Sequence, residues 1–195
     1  MELKDLSPKA VRTRDALLDA AEEALAEGAD VVSGAVAVRA GVSTGTFYRY
    51  FGDKDALLAA AFARALDGII DAVEHALDPA EVLDHGVDGV LSRVIGDVAG
   101  GYVAAAPTIA AALARIGGSA EIRRVYRARH ERSVAVLSVF LQRLDRAGLA
   151  AVPDVAATAT AAVVLIQGLN HPAVRDDPDG RVRARLSAAL AALVG

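Results

Sequence analysis

The sequence predicts an all-α protein, and three observations carry the prediction. Apolar residues recur at helical spacing along nearly the whole chain, alanine is abundant, and strand-like alternation is almost absent. Within that class the pattern predicts an N-terminal three-helix head containing a helix-turn-helix, joined through a long helix to a C-terminal helical domain. The boundaries are 1–54 for the head and 55–195 for the rest.

The first helix is predicted over 10–27, where Leu18, Ala21 and Leu25 share one stripe. A second, short helix covers Val36-Ala37-Val38-Arg39-Ala40, with Ser33 placed to cap its start. Gly41 then supplies the left-handed residue that ends it and permits a tight turn. Ser43 sits where the next N-cap belongs, its hydroxyl able to accept from the backbone N–H of Gly45 or Thr46. The outcome is helix, short turn, helix. In the third helix Phe47 and Phe51 lie four apart on one face, which suits burial, while Gly45 and Arg49 project from the other and Thr44, Thr46, Tyr48 and Tyr50 flank them. An apolar back, a small-residue front and an exposed Arg suit a helix that enters a DNA major groove.

Asp53 is the predicted cap of a fourth, long helix running to about Ala76, with Leu57, Leu58, Ala61, Phe62, Ala65, Leu66 and Ile69 at core-like spacing. Lys54 falls in its first turn, where a cation opposes the helix dipole unless an arriving phosphate reverses the sign. Asp78-Pro79 starts the next helix, which Gly100-Gly101 is expected to break. Another begins near Pro107 and ends at Gly117-Gly118. Ser119 opens a long helix to about Ala147, capped by Gly148. Pro153 begins one that ends before Pro172, and the last spans Gly180 to Val194.

Charge supports DNA binding locally but not in bulk. No acidic residue occurs from Gly34 to Gly52, which holds Arg39 and Arg49; yet residues 1–54 contain seven Lys or Arg against nine Asp or Glu. Phosphate affinity must therefore come from placement of cations rather than their number.

The run AGVSTGTFYRYFGDKDALL, preceded by TRDALLDAAEEALAEGA, resembles the signature of the tetracycline-repressor (TetR) family over about the first 65 residues. The resemblance implies a transcriptional regulator, more often a repressor. It makes Tyr48 and Lys54 phosphate contacts, sets Thr44, Gly45 and Thr46 toward the major groove, and leaves Arg49 for base or phosphate. Ser43 and Tyr50 complete the candidate DNA-binding set, with Tyr50 assigned to phosphate. Phe47 and Phe51 match core positions. The segment EGADVVSGAVAVRAG departs from the family pattern: its link between the first two helices is about two residues short and Gly34 replaces a larger side chain, so base readout is expected from the third helix.

The family likeness also implies an inducer pocket in the C-terminal domain. Phe62, Leu66, Val90, Val94, Tyr102, Ile109, Leu113, Tyr126, His130 and Phe140 are candidate lining residues as well as ordinary core candidates. An apolar pocket with a few polar groups favours a small hydrophobic effector. Ala156, Ala159, Thr160, Val163, Val164, Gln167 and Gly168 form a small-residue and β-branched surface that permits close helix approach. Periodicity does not separate a dimer seam from intramolecular packing there, but the family pairs such helices in a homodimer. A twofold dimer reads two half-sites of an inverted repeat in double-stranded DNA.

Several classes of function are excluded or disfavoured. The absence of cysteine removes disulfides, thiolate metal sites and cysteine nucleophiles. His75, His85, His130 and His171 lack paired metal spacing, so no metal or other cofactor is expected. No phosphate-cradling glycine loop and no Ser-His-Asp arrangement suggests an enzyme. The longest apolar run, Val155 to Ile166, is interrupted by Thr158 and Thr160 and too short for a membrane span. The charged start MELKDLSPKAVRTRDALL lacks the look of a signal, which points to the cytoplasm. The basic run Arg123 to Arg132 reads as a solvated or salt-bridged face. The competing reading is a helical ligand-sensor or protein-interaction dimer without DNA binding.

Overall fold

The computed structural model describes residues 7–175, 177 and 179–194. The first six residues of the predicted head thus lie outside the described residues. Nine α-helices and a 3-10 turn are found among the described residues, and no strand: α1 Pro8–Ala26, α2 Ser33–Arg39, α3 Thr44–Tyr50, α4 Lys54–Ala76, α5 Pro79–Arg115, α6 Ala120–Arg146, α7 Val155–Gln167, α8 Pro172–Arg175 and α9 Arg181–Val194. The all-α prediction is met.

Two compact units emerge from packing. One runs to Ala65 and also takes in Pro107–Tyr126; the other comprises Leu66–Ala106 and the chain from Arg127 onward. The core of the first unit gathers Leu17, Leu18, Ala20 and Ala21 of α1, Val36 and Ala37 of α2, Phe47 of α3, Phe51, and Leu57 and Ala61 of α4. Leu17, Leu18, Phe47 and Leu57 are fully buried. Burying side chains of that size stabilises by about 1.5–3 kcal/mol each, which lets helices as short as α2 and α3 persist.

Local capping follows the sequence closely. Ser7 Oγ accepts from Ala10 N at 3.3 Å, Asp53 Oδ1 from Ala56 N at 2.8 Å, Asp78 Oδ1 from Ala80 N at 2.9 Å, Ser119 Oγ from Ile122 N at 3.3 Å and Asp154 Oδ1 from Ala157 N at 3.0 Å. The exception is α2. Its N-cap is Val32, which offers no side-chain acceptor, and Ser33 is instead the first helical residue.

Helix boundaries differ from expectation at several places: Pro153 precedes the cap Asp154 and α7 starts at Val155, a short α8 starts at Pro172, and α5 departs twice. Gly100 and Gly101 do not break α5, and Pro107 does not start a helix: α5 continues through both to Arg115. Its interruption lies at Gly86, with φ 70° and ψ 166°, a conformation that favours glycine. At Gly101 a neighbour takes the space of a side chain. A Cβ there would lie 2.9 Å from Ile69 Cγ1 of α4.

In the second unit Arg129 holds Asp67 through two hydrogen bonds of 3.2 and 2.6 Å, while Arg132 reaches Asp67, Asp71 and Glu74. The Asp71 carboxylate, ahead of Asp67, keeps the Arg132 guanidinium above its ordinary pKa. The basic run is therefore salt-bridged where it faces α4. Ala80–Arg115 is also long and apolar enough to cross a membrane by length and composition, although its apolar residues form no single uninterrupted run. Its apolarity has a packing use, since Val90, Val94, Ile95, Val98 and Tyr102 are buried.

Candidate nucleic-acid interface

The turn before α3 forms as its residues dictate. Gly41 takes φ 68°, and Val42 N donates to Ala37 O at 2.9 Å while Gly41 N donates to Val38 O at 3.0 Å, closing α2. Ser43 Oγ then accepts from Thr46 N at 3.1 Å and lies 3.0 Å from Thr46 Oγ1. Phe47, fully buried, pins the back of α3 against the core, with Phe51 at 6.1 Å between ring centroids.

The opposite side of α3 faces outward. Thr44, Gly45, Tyr48 and Arg49 are exposed, as is Lys54 at the first position of α4. Tyr48 is 54% exposed although its ring meets Phe47 edge-on at 5.2 Å, so the phenol end points away from the core. Tyr50 is half-buried against the core, with the Arg49 guanidinium 5.3 Å above its ring. Thr46 is half-buried and its hydroxyl is engaged with Ser43, whose own role is the cap. The candidate set thus divides into an outward group and a supporting group.

Arg39 behaves differently from what the local charge pattern suggests. It donates to Glu27 through Nη1 at 2.7 Å and Nη2 at 2.6 Å, with Glu23 at 3.7 Å. Glu27 ends α1, so this fork ties α2 back across the short link. The hydrogen bond from Arg39 holds the Glu27 carboxyl below its ordinary pKa, and Glu27 in turn raises that of Arg39. Nothing in helical periodicity reveals a pair twelve residues apart across a turn.

Other cations of this unit are also engaged. Arg64 bridges Asp19 and Glu22 of α1, at 2.7 Å each; its burial is outweighed first by the bond to Glu22, so its pKa rises. Arg14 lies 5.6 Å over the Phe51 ring, and burial lowers its pKa. Among residues 7–65, Lys9, Arg12, Arg49 and Lys54 enter no ion pair, whereas Arg14, Arg39 and Arg64 do. Within residues 7–65 these are the cations left for an external anion.

The candidate effector residues fall in both units. Phe62 and Ile109 are buried in the first, where Leu113 and Tyr126 are exposed. Val90, Val94, Tyr102 and Phe140 are buried in the second, with Leu66 and His130 half-buried. His130 Nδ1 lies 3.2 Å from Gln167 Nε2, joining a pocket candidate to an interface candidate. On α7, Ala159 and Val163 point into the interior, whereas Ala156, Thr160 and Val164 are exposed at successive four-residue steps and Gln167 and Gly168 are half-exposed. Among the described residues no group of His, Asp or Glu is arranged to hold a metal ion.

Residues 17–61 match the family model for bacterial regulatory proteins of the tetR family. No curated protein sequence matches the chain significantly. Solved structures similar over nearly the whole chain include a protein of Mesorhizobium loti assigned to the TetR-family transcriptional regulators, 18% identical with a TM-score of 0.79, covering 96% of this chain and 97% of that one. Salmonella enterica GusR is 17% identical with a TM-score of 0.77, at 98% coverage of both chains. A TetR transcription regulator from Haloarcula marismortui is 16% identical with a TM-score of 0.74, covering 94% of this chain and 97% of its own. The family consists of DNA-binding regulators rather than enzymes. Residues 17–61, which hold the helix-turn-helix, thus match the regulatory-protein model of the tetR family, and the chain around them has the fold of a TetR-family transcriptional regulator.

Proposed function

We propose that this protein is a ligand-responsive transcriptional repressor that binds an inverted-repeat operator in double-stranded DNA as a homodimer, in the cytoplasm, and is released by a small hydrophobic effector. The observation that carries the reading is the two-sided third helix: Phe47 is buried behind it, Thr44, Gly45, Tyr48 and Arg49 are exposed in front, and Lys54 is exposed at the start of α4. Thr44 and Gly45 offer a low-bulk edge to base pairs, and Arg49 reaches a base or phosphate. Tyr48 and Lys54 take phosphates, with the amides at the N-terminus of α4 adding to Lys54. Tyr50 supports Arg49, and Ser43 and Thr46 set the helix start.

In this reading residues 1–54 bind DNA and 55–195 regulate and dimerise. Ala156, Thr160 and Val164 supply the exposed row through which a second copy packs, and Val90, Val94, Tyr102, His130 and Phe140 contribute to effector binding. Effector and operator oppose each other by a coupling free energy, so operator DNA must weaken effector binding by the factor with which effector weakens operator binding.

Selection of bound duplexes from a random library tests the reading. Wild type enriches one inverted repeat, and Tyr48→Ala, Lys54→Ala and higher salt each weaken its binding. Folded wild-type protein that enriches no sequence at low salt would favour the sensor or interaction dimer. The observation on that side is the engagement of Arg39 by Glu23 and Glu27, which removes a cation from the head.

A further inference from the structure

We propose that Arg115 is a positioning residue for DNA binding, which neutralises Asp55 beside Lys54 and so keeps the start of α4 attractive to phosphate. The inference rests on the DNA-binding reading of the head. Asp55 follows Lys54 in the first turn of α4. The helix dipole favours a carboxylate there, but that carboxylate repels the phosphate that Lys54 attracts. Left alone, Asp55 would cancel much of what Lys54 contributes.

Arg115 supplies the counter-charge from sixty residues away, with Nη1 donating to Asp55 Oδ1 at 2.6 Å. Its position is held. Arg115 is the last residue of α5, and its carbonyl accepts from Gly118 N and Ser119 N at 3.0 Å each. Arg123 of α6 donates from Nη1 to the carbonyls of Ile116 and Gly117 at 2.9 and 2.8 Å. The turn that presents Arg115 is therefore braced by Arg123, and both belong to the same compact unit as Asp55 and α3. A shift of that turn strips Asp55 of its partner and sets a carboxylate against the bound phosphate. Arg115 thus acts through Asp55 and need touch no DNA.

The test measures binding of full-length wild type, Arg115→Met, Asp55→Asn and the double variant to the duplex recovered by selection, with the melting temperature of each protein taken without DNA. Arg115→Met is expected to weaken binding about threefold per head, hence about tenfold for a dimer, the scale of a part-exposed ion pair. Asp55→Asn in the same chain restores wild-type affinity, because the repelling charge is gone, and by itself binds at least as tightly as wild type. Wild-type affinity in Arg115→Met would overturn the inference. So would a loss that Asp55→Asn fails to restore, since a structural role for Arg115 lowers the melting temperature of both Met variants alike. A wild type that selects no duplex overturns the DNA-binding reading itself, and this inference with it.

Discussion

Gly100 and Gly101 are neighbours inside α5, yet replacing each by alanine should change stability in opposite directions. Alanine in a helix interior is favoured over glycine by about 1 kcal/mol. A Cβ at Gly100 meets nothing within 4 Å, so Gly100→Ala should stabilise by about 0.5–1 kcal/mol. At Gly101 the new Cβ would sit 2.9 Å from Ile69 Cγ1. Ordinary carbon contacts are about 3.5–4.0 Å, so the two helices must part by roughly 0.6–1 Å or Ile69 must change rotamer. Neither is easy for a buried β-branched residue on a helix. Overpacking of this kind costs about 1–3 kcal/mol, leaving Gly101→Ala destabilised by about 0–2 kcal/mol after the propensity gain. The two variants should differ by about 1–3 kcal/mol in urea unfolding followed by helical ellipticity. Ile69→Ala removes the clashing atom, so its cavity cost should be about 1–2 kcal/mol smaller in the Gly101→Ala chain than in wild type. Equal stabilisation by the two alanines, or additive costs for Gly101→Ala and Ile69→Ala, would refute the close-approach argument.

Three further outcomes follow from the head. Ser43→Ala removes the acceptor for Thr46 N and should cost about 1 kcal/mol in chemical unfolding, while Ser43→Asp, which can cap, should retain most of it; equal stability of all three chains would sink the cap assignment. Because Arg39 holds the Glu27 pKa down, the pair contributes stability above the ordinary carboxylate range and loses it as pH falls through the depressed value. The gap in melting temperature between wild type and Glu27→Gln should thus close below about pH 4, and a gap unchanged down to pH 2 would contradict the pairing. If only Arg49 and Lys54 meet phosphates in each of two heads, the slope of log affinity against log salt should be about −3.6; adding Lys9 and Arg12 takes it to about −7. Equilibrium titration at several salt concentrations distinguishes these, and a slope steeper than about −9 would mean that cations outside this set take part.

The sequence reveals most about the fold where one residue decides one local event. Ser43, Asp53 and Asp78 cap helices because a short acceptor side chain before an apolar-periodic run has few other uses. Phe47 and Phe51 are buried because their spacing places them on one face. The errors arise where a distant neighbour decides. Gly101 reads as a helix breaker by composition, but its glycine accommodates Ile69, thirty-two residues earlier, and the chain stays helical. Pro107 reads as a helix start, yet α5 continues through it. Gly86, an isolated glycine with no partner signal, carries the actual interruption.

Charge shows the same division between local and distant information, and it bears on how the head binds. By sign alone, Gly34 to Gly52 is a locally basic stretch with two arginines. The fold sets them apart. Arg39 is bound by a fork to the end of α1, where it holds the helices of the head together. Arg49 remains on the outer side of α3, resting on Tyr50, where a cation already over an aromatic face loses less freedom on meeting a phosphate or base. Acidic residues in and beside the head are likewise paired: Asp19 and Glu22 with Arg64, Glu23 and Glu27 with Arg39, Asp55 with Arg115. A head without a net basic excess can still present a cationic edge when its carboxylates are neutralised within the fold. Discrimination between DNA sequences then gains relative to bulk attraction, because few cations are left to bind phosphate indiscriminately.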